Sequence, residues 1–456
     1  MIKKYSLFVA LMLFTIISNA QNIIPKNVFL KKLPNGLDVM VVEDHSVPLV
    51  TLLMNFKAGA FTESETNNGL TAMYQLMLFK GNKDYESEQS LNYHSGDFGI
   101  GLRNTGTTLE YSNCYFTLPK ANFVKGLNFM NSAVRYAKLD PEELEKLKEV
   151  IKVETKRKQS VATYALFETM DRHLWGSFYS RKNGRGNTDV MNAATQQQLL
   201  AVKNKYYYPN NAILIIGGDI EHDFAFSEAE KMYGDWVPAE LDPIVEYPVP
   251  QIKPLDKTDY FIVESNLTTE PTLGFVWHGP ATRNDIASTY AADVFTYLIN
   301  LNSSKLNKAL VQSGLASSIR ISYPTLKYTG PITLMVIPNP LKIKECVAEI
   351  KKQINLMDGD DYLSANQIET AKLTLDIKQT RTEDITTDYV HSLSFWWSSV
   401  SFDYFWGYSN NLKKVSQADM KAFVQKYIKS KPYCAGLLIS PELSAEINAP
   451  SFFKSN

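Results

Sequence analysis

The side chains able to do acid–base or metal chemistry are few and poorly spaced for it. Six histidines stand at His45, His94, His173, His222, His278 and His391, and none has a second histidine or a glutamate three or four positions away. A metal-binding helix needs that interval, because only residues one turn apart present donor atoms to a single ion. The three cysteines, Cys114, Cys346 and Cys434, are odd in number and widely separated. They suggest buried free thiols rather than a disulfide framework or a thiolate zinc site. No Gly-x-Ser-x-Gly elbow supports serine hydrolysis. No Walker sequence or dinucleotide fingerprint is present; Gly99-Ile100-Gly101 lacks the following glycine and precedes a strand pattern.

The stretch NNGLTAMYQLMLFKG, residues 67–81, has helical period. Thr66-Asn67-Asn68 can cap it, and Leu70, Met73, Leu76, Met77 and Leu78 make one thick apolar stripe. By pattern alone this is a buried helix. At 456 residues the chain exceeds one ordinary core, so several domains are expected. A net charge of −1 gives no support to binding nucleic acid or an anionic membrane. The start, MIKKYSLFVALMLFTIISNAQN, has two lysines, a short apolar run and Ser18-Asn19-Ala20. It reads as a secretory signal peptide over residues 1–20, cut after Ala20, with a retained anchor as the alternative. Export across the inner membrane to the periplasm is the expected location.

Five prolines between 237 and 257 mark an extended linker. The segments on either side are alike. In the first, a strand ending FTLP precedes helical 121–137 and a helix from Pro141 to about Ser160. In the second, ITLMVIP precedes helical 340–357 and a helix over about 364–381. Pro119 and Pro338 stand 219 positions apart, Tyr206 and Tyr427 221 apart. Two landmarks at nearly one offset argue for a duplicated unit. We expect two repeats, 25–236 and 258–450, joined by 237–257. The class is α+β, each repeat a mostly antiparallel sheet with helices packed on one face.

GLTAMYQLMLFKG resembles the zinc-binding segment of the pitrilysin/insulinase-like inverzincin metallopeptidases, especially their mitochondrial-processing-peptidase branch. The resemblance extends to LPNGLDVMVVEDHSVPLVTLLMNFKAGA (33–60), NTGTTLEYSNCYFTLP (104–119), LEKLKEVIKVE (144–154), YYYPNNAILIIGGDI with MYGDW, and residues 286–318. It therefore covers about residues 27–440. In that family His-x-x-Glu-His supplies two zinc ligands and the general base. Those positions hold Ala72, Gln75 and Leu76 here, and Glu154 falls at the third-ligand position. One carboxylate does not make a zinc site. Gln75 could hold a water but cannot accept its proton. The arginine and tyrosine that the family's second half often supplies fall at Val311 and Ser317, with Arg320 and Tyr323 nearby at the wrong spacing.

The resemblance implies a half-clam fold without its own catalytic residues or cofactor, zinc being expected only in an active homologous partner. It also implies that peptide lies along Asn104, Thr105, Gly106 and Thr107 as an added strand. The readings are a subunit that encloses and positions peptide beside such a partner, a stand-alone peptide binder, or a zinc-dependent endopeptidase with unrecognised ligands. The aromatic segment HSLSFWWSSVSFDYFWGY, 391–408, reads as core between the last helices of the second repeat or as an interface wall.

Overall fold

The computed structural model describes residues 24–453; the signal-peptide reading lies outside them. Before the proline-rich segment the chain forms strands β1 (Val28–Lys32), β2 (Asp38–Glu43), β3 (Leu49–Phe56), β4 (Asn104–Thr107), β5 (Ser112–Pro119) and β6 (Ala212–Gly218). Its principal helices are α1 (Leu70–Met77), α2 (Phe123–Arg135), α3 (Pro141–Gln159), α4 (Ala162–Trp175), α5 (Gln196–Tyr206) and α6 (His222–Tyr233). After it come β7 (Asp259–Glu264), β8 (Thr272–His278), α7 (Ile286–Ile299), β9 (Ala316–Ser322), β10 (Pro331–Pro338), α8 (Ile343–Leu356) and α9 (Ala365–Glu383). Then follow α10 (Thr386–Ser399), α11 (Phe402–Trp406), α12 (Tyr408–Lys414), α13 (Gln417–Tyr427), β11 (Cys434–Ile439) and a short helix, Pro441–Glu446.

The first sheet has the order β1-β2-β6-β3-β5-β4 and the second β7-β11-β8-β10-β9. Without β1 the two are one pattern. β2 runs parallel to β6, as β7 does to β11, and every other pairing is antiparallel. The duplication read from the proline and tyrosine offsets is thus a duplication of sheet topology, and the fold is α+β with two similar repeats.

Each sheet is buried on both faces, so its strands present apolar side chains to two cores. On one face Val39, Val41, Leu52, Met54 and Ile216 pack against α1, α2 and α6 of the same half. The opposite face, with Met40, Val42, Leu53, Ile213 and Ile215, is covered by Tyr389, Val390 and Leu393 of α10 and Phe405 of α11. Those helices belong to the second half. The exchange is mutual: Leu166, Met170 and Leu174 of α4 cover Val276, Cys434 and Leu438 of the second sheet. Two glycines let these helices settle closely. A Cβ at Gly217 would lie 2.4 Å from Val390 Cγ2, and one at Gly274 would lie 2.6 Å from Met170 Sδ.

The aromatic segment therefore belongs to a core between halves, neither confined to the second repeat nor an outer wall. Trp396 stacks on Tyr404 and Phe405, and Trp397 Nε1 donates to Asp38 Oδ2 of β2 at 3.0 Å. The three cysteines are buried free thiols. Among the described residues, no helix is long and apolar enough to cross a membrane.

Candidate functional site

Helix α1 begins at Gly69, whose φ of 99° is the left-handed conformation that glycine adopts without strain. Thr66, Asn67 and Asn68 are not its cap, contrary to the expectation from sequence. The cap is Glu63, reaching in from the preceding loop. Its Oε2 accepts from Gly69 N at 2.8 Å and Asn68 Nδ2 at 2.9 Å, and its Oε1 accepts from Thr71 N at 2.9 Å. A carboxylate at a helix N-terminus satisfies orphan N–H groups and meets the positive end of the dipole. Burial still pushes the Glu63 carboxyl above its ordinary pKa, because desolvation outweighs those hydrogen bonds.

Leu70, Met73, Met77 and Leu78 turn into the first core, but Leu76 does not. It is 41% exposed, so the stripe expected from sequence is narrower by one residue. Ala72 and Leu76, one turn apart, lie on the open side of α1. Gln75 lies inside at 1% exposure. Its Oε1 accepts from Tyr207 Oη at 2.9 Å, and Tyr207 Oη is 2.9 Å from Ser112 Oγ. Tyr207 thereby ties the helix to β5. Gln75 Nε2 is buried without a partner among the described residues. At the three motif positions, then, a methyl group and an isobutyl group face outward and an amide is sealed inside.

Glu154 lies on α3, partly exposed, with Arg157 Nη2 donating to its Oε2 at 2.8 Å. That guanidinium holds its carboxyl below the usual range. These residues do not fit a zinc ion: one carboxylate already engaged is the whole donor set at those positions. In the second half, Val311 sits in a π-helical segment, Lys308–Gln312. Ser317 is exposed on the edge strand β9, with Oγ donating weakly to Ile337 O at 3.4 Å. Arg320 is also exposed on β9. Tyr323 Oη donates to Pro280 O at 3.0 Å and is committed to the fold.

Asn104, Thr105, Gly106 and Thr107 make up β4, the last strand of the first sheet, packed beside α1. They pair with Tyr115, Cys114, Asn113 and Ser112 of β5. The other side of β4 has no ladder partner among the described residues. The turn after it is anchored across the halves by buried Glu110, which accepts from Lys327 N and Tyr328 N at 2.9 Å each. Buried Lys182 donates to Tyr328 O at 2.6 Å and Thr329 O at 2.7 Å. Its enclosure lowers the ammonium pKa to about 8.

One grouping escaped sequence reasoning. Glu43, His45 and Glu221 place potential ligand atoms within 4.8 Å of one another, the one such group among the described residues. Parallel pairing of β2 with β6 sets Glu43 opposite Gly218, which brings 43–45 beside 219–221. No helical spacing could have revealed it. Two members already have partners: His45 Nδ1 lies 2.7 Å from Asp219 Oδ1, and Glu43 Oε1 accepts from His222 N at 2.7 Å. The Asp219 hydrogen bond raises the His45 pKa.

Comparison with known proteins agrees with this architecture. Residues 38–177 match the family model described as insulinase (peptidase family M16), and residues 193–375 match the peptidase M16 inactive domain. An uncharacterized zinc protease of Rickettsia felis is 24% identical over 208 residues, covering 46% of this chain and 50% of that protein. The mitochondrial-processing peptidase subunit beta of Blastocladiella emersonii is 23% identical over 208 residues, covering 44% and 43%. The chain thus spans about half the length of these curated relatives. Among solved structures, a protease from Helicobacter pylori superposes with a TM-score of 0.81 at 17% identity, over 91% of this chain and all of that one. The periplasmic protease PqqL from Escherichia coli superposes with a TM-score of 0.76 at 14% identity, over 92% and 48%. With both family models in chain order and the two-half architecture common to these structures, the chain belongs to the M16 (insulinase) peptidase family.

Proposed function

We propose that this chain is a non-catalytic subunit that helps enclose and position a peptide for a zinc-active homologue. One juxtaposition carries the reading: Ala72 and Leu76 leave the open side of α1 without a donor, while β4 beside it keeps a free edge. A peptide laid along Asn104–Thr107 gains main-chain hydrogen bonds whatever its sequence, as strand addition requires. Gln75 can neither bind zinc nor take a proton from water, so cleavage falls to a partner carrying an intact His-x-x-Glu-His. That one relative is named as a subunit, and one structural neighbour as a periplasmic protease, supports the pairing and the periplasmic location.

Purification from the native source under gentle conditions tests the reading. Recovery together with a zinc-containing homologue is the expected result; recovery only as a monomer or self-dimer counts against it. The edge of β4 lies wholly within this chain, which also supports a stand-alone peptide binder. Tight binding of unfolded peptides by the isolated protein would favour that alternative. Chelator-sensitive cleavage by the pure chain would overturn both.

A further inference from the structure

The second half holds a cavity of about 300 Å³ between α9, α10 and the α11–α12 region, lined among others by Asp293, Lys378, Trp396, Phe405 and Tyr408. Its two charged residues come from repeat counterparts of the helices that carry the motif positions in the first half. Asp293 is on α7, which follows β8 as α1 follows β3. Lys378 is the fourteenth residue of the 19-residue α9, and Glu154 is the fourteenth of the 19-residue α3. The second half thus brings a carboxylate and an ammonium to an aromatic recess from helices that hold the same places in the order of elements.

We propose that this recess binds an organic ammonium ion, with Asp293 as counter-charge and the rings of Trp396, Phe405 and Tyr408 among its walls. Asp293 keeps part of its surface open to the cavity. Its Oδ2 accepts from Tyr408 Oη at 2.9 Å. Lys378, exposed at the edge, attracts the carboxylate only through space. Besides the Thr325 hydroxyl, which also hydrogen-bonds the carboxyl, the titratable groups near Asp293 are the Lys378 ammonium and the phenols of Tyr290, Tyr323, Tyr404 and Tyr408, the phenols all with raised pKa values. Enclosure pushes the Asp293 carboxyl up to about 7. A guest ammonium supplies the close counter-charge that the ionised form lacks. An anionic guest would meet the carboxylate, and a neutral one would leave it uncompensated.

The site does not depend on the proposed partner role and is tested on the isolated chain. Binding of n-butylammonium and of N-acetyl-lysine amide is measured by calorimetry and by tryptophan fluorescence. The first probe represents a free amine, the second a lysine side chain. Saturable binding of either is expected, and comparison of the two separates a metabolite from a peptide side chain as the source. Asp293→Asn, which keeps an acceptor for Tyr408, should weaken binding at least about tenfold with an unchanged thermal melt. At about pH 9, where Asp293 is ionised with or without Lys378, Lys378→Met should tighten it, because the guest loses a like charge. Affinity should rise roughly tenfold from pH 6 to pH 8 as Asp293 ionises. No saturable binding by either probe, equal affinity in Asp293→Asn, or weaker binding in Lys378→Met at about pH 9 would each overturn the proposal.

Discussion

A carboxylate at position 75, where the family resemblance expects a general base, should destabilise the protein in Gln75→Glu. Gln75 is almost fully enclosed, and its one hydrogen bond is the Tyr207 hydroxyl. A glutamate there is nearly isosteric, so the protonated form should fit at little cost. The ionised form would be buried with a single donor. Such a site raises a glutamate pKa to roughly 7–8 or above, against about 4.3 in the unfolded chain. The sign follows: between those values the unfolded state loses its proton and the folded state keeps it, so stability falls as pH rises. At pH 7 the gap of about 2.7 units corresponds to roughly 3–4 kcal/mol, and at pH 5 to about 1 kcal/mol. The Tyr207 donor offsets part of this, leaving about 2–4 kcal/mol at pH 7. Urea unfolding of both proteins at pH 5 and pH 7 measures the difference. If Gln75→Glu costs the same at both pH values, the carboxylate reaches water and the sealed-helix description of α1 is wrong.

Glu63→Ala should cost about 2–4 kcal/mol in urea unfolding, because it strips the acceptor from the Gly69 and Thr71 amides at the buried start of α1. The Lys182 ammonium has a folded pKa of about 8 against an ordinary 10.5. The unfolded chain therefore binds more protons between those values, and stability should gain about 3 kcal/mol from pH 8 to 10.5. Lys182→Met should remove that contribution from the curve of unfolding free energy against pH. Trp397→Ala, which deletes the Asp38 hydrogen bond and the ring beneath Lys57, should cost about 2–4 kcal/mol. Sedimentation should show its oligomeric state unchanged, since the ring packs between halves of one chain.

The features legible in the sequence were those that short-range chemistry determines. The pattern ITLMVIP predicts a strand over 332–338, and β10 occupies Pro331–Pro338; the helix from Pro141 ends at Gln159, one residue before its expected end. Proline and tyrosine landmarks exposed the duplication because each closes or opens an element, and such punctuation keeps its spacing. What escaped was set by contacts distant along the chain. Glu63 caps α1 from an intervening loop, so the nearby Thr66-Asn67-Asn68 was a natural but mistaken choice. Leu76 has the right type and spacing for the core, yet it sits at the edge of the buried arc. The Glu43–His45–Glu221 grouping exists only because β2 and β6 are parallel neighbours. The aromatic segment looked too dense for a surface, but nothing local says whose sheet it covers.

The geometry of α1 explains how a family fold can persist while its motif positions change. Leu70, Met73 and Met77 hold the helix in the core, and Glu63 and Tyr207 fix its start and its middle. Positions 72 and 76 contribute to none of this. Alanine and leucine there have good helix propensity and need no polar partner. Replacing ligands at these two positions should therefore cost the fold almost nothing, which is the usual relation between an exposed functional group and stability. Position 75 differs because it is sealed: a carboxylate there is tolerable only if water or metal reaches it. Gln75 keeps the shape of glutamate and its bond to Tyr207 while removing the charge that enclosure would penalise. The two kinds of position thus differ in their constraint: the open face at 72 and 76 asks little of the side chain, whereas enclosure at 75 disfavours charge.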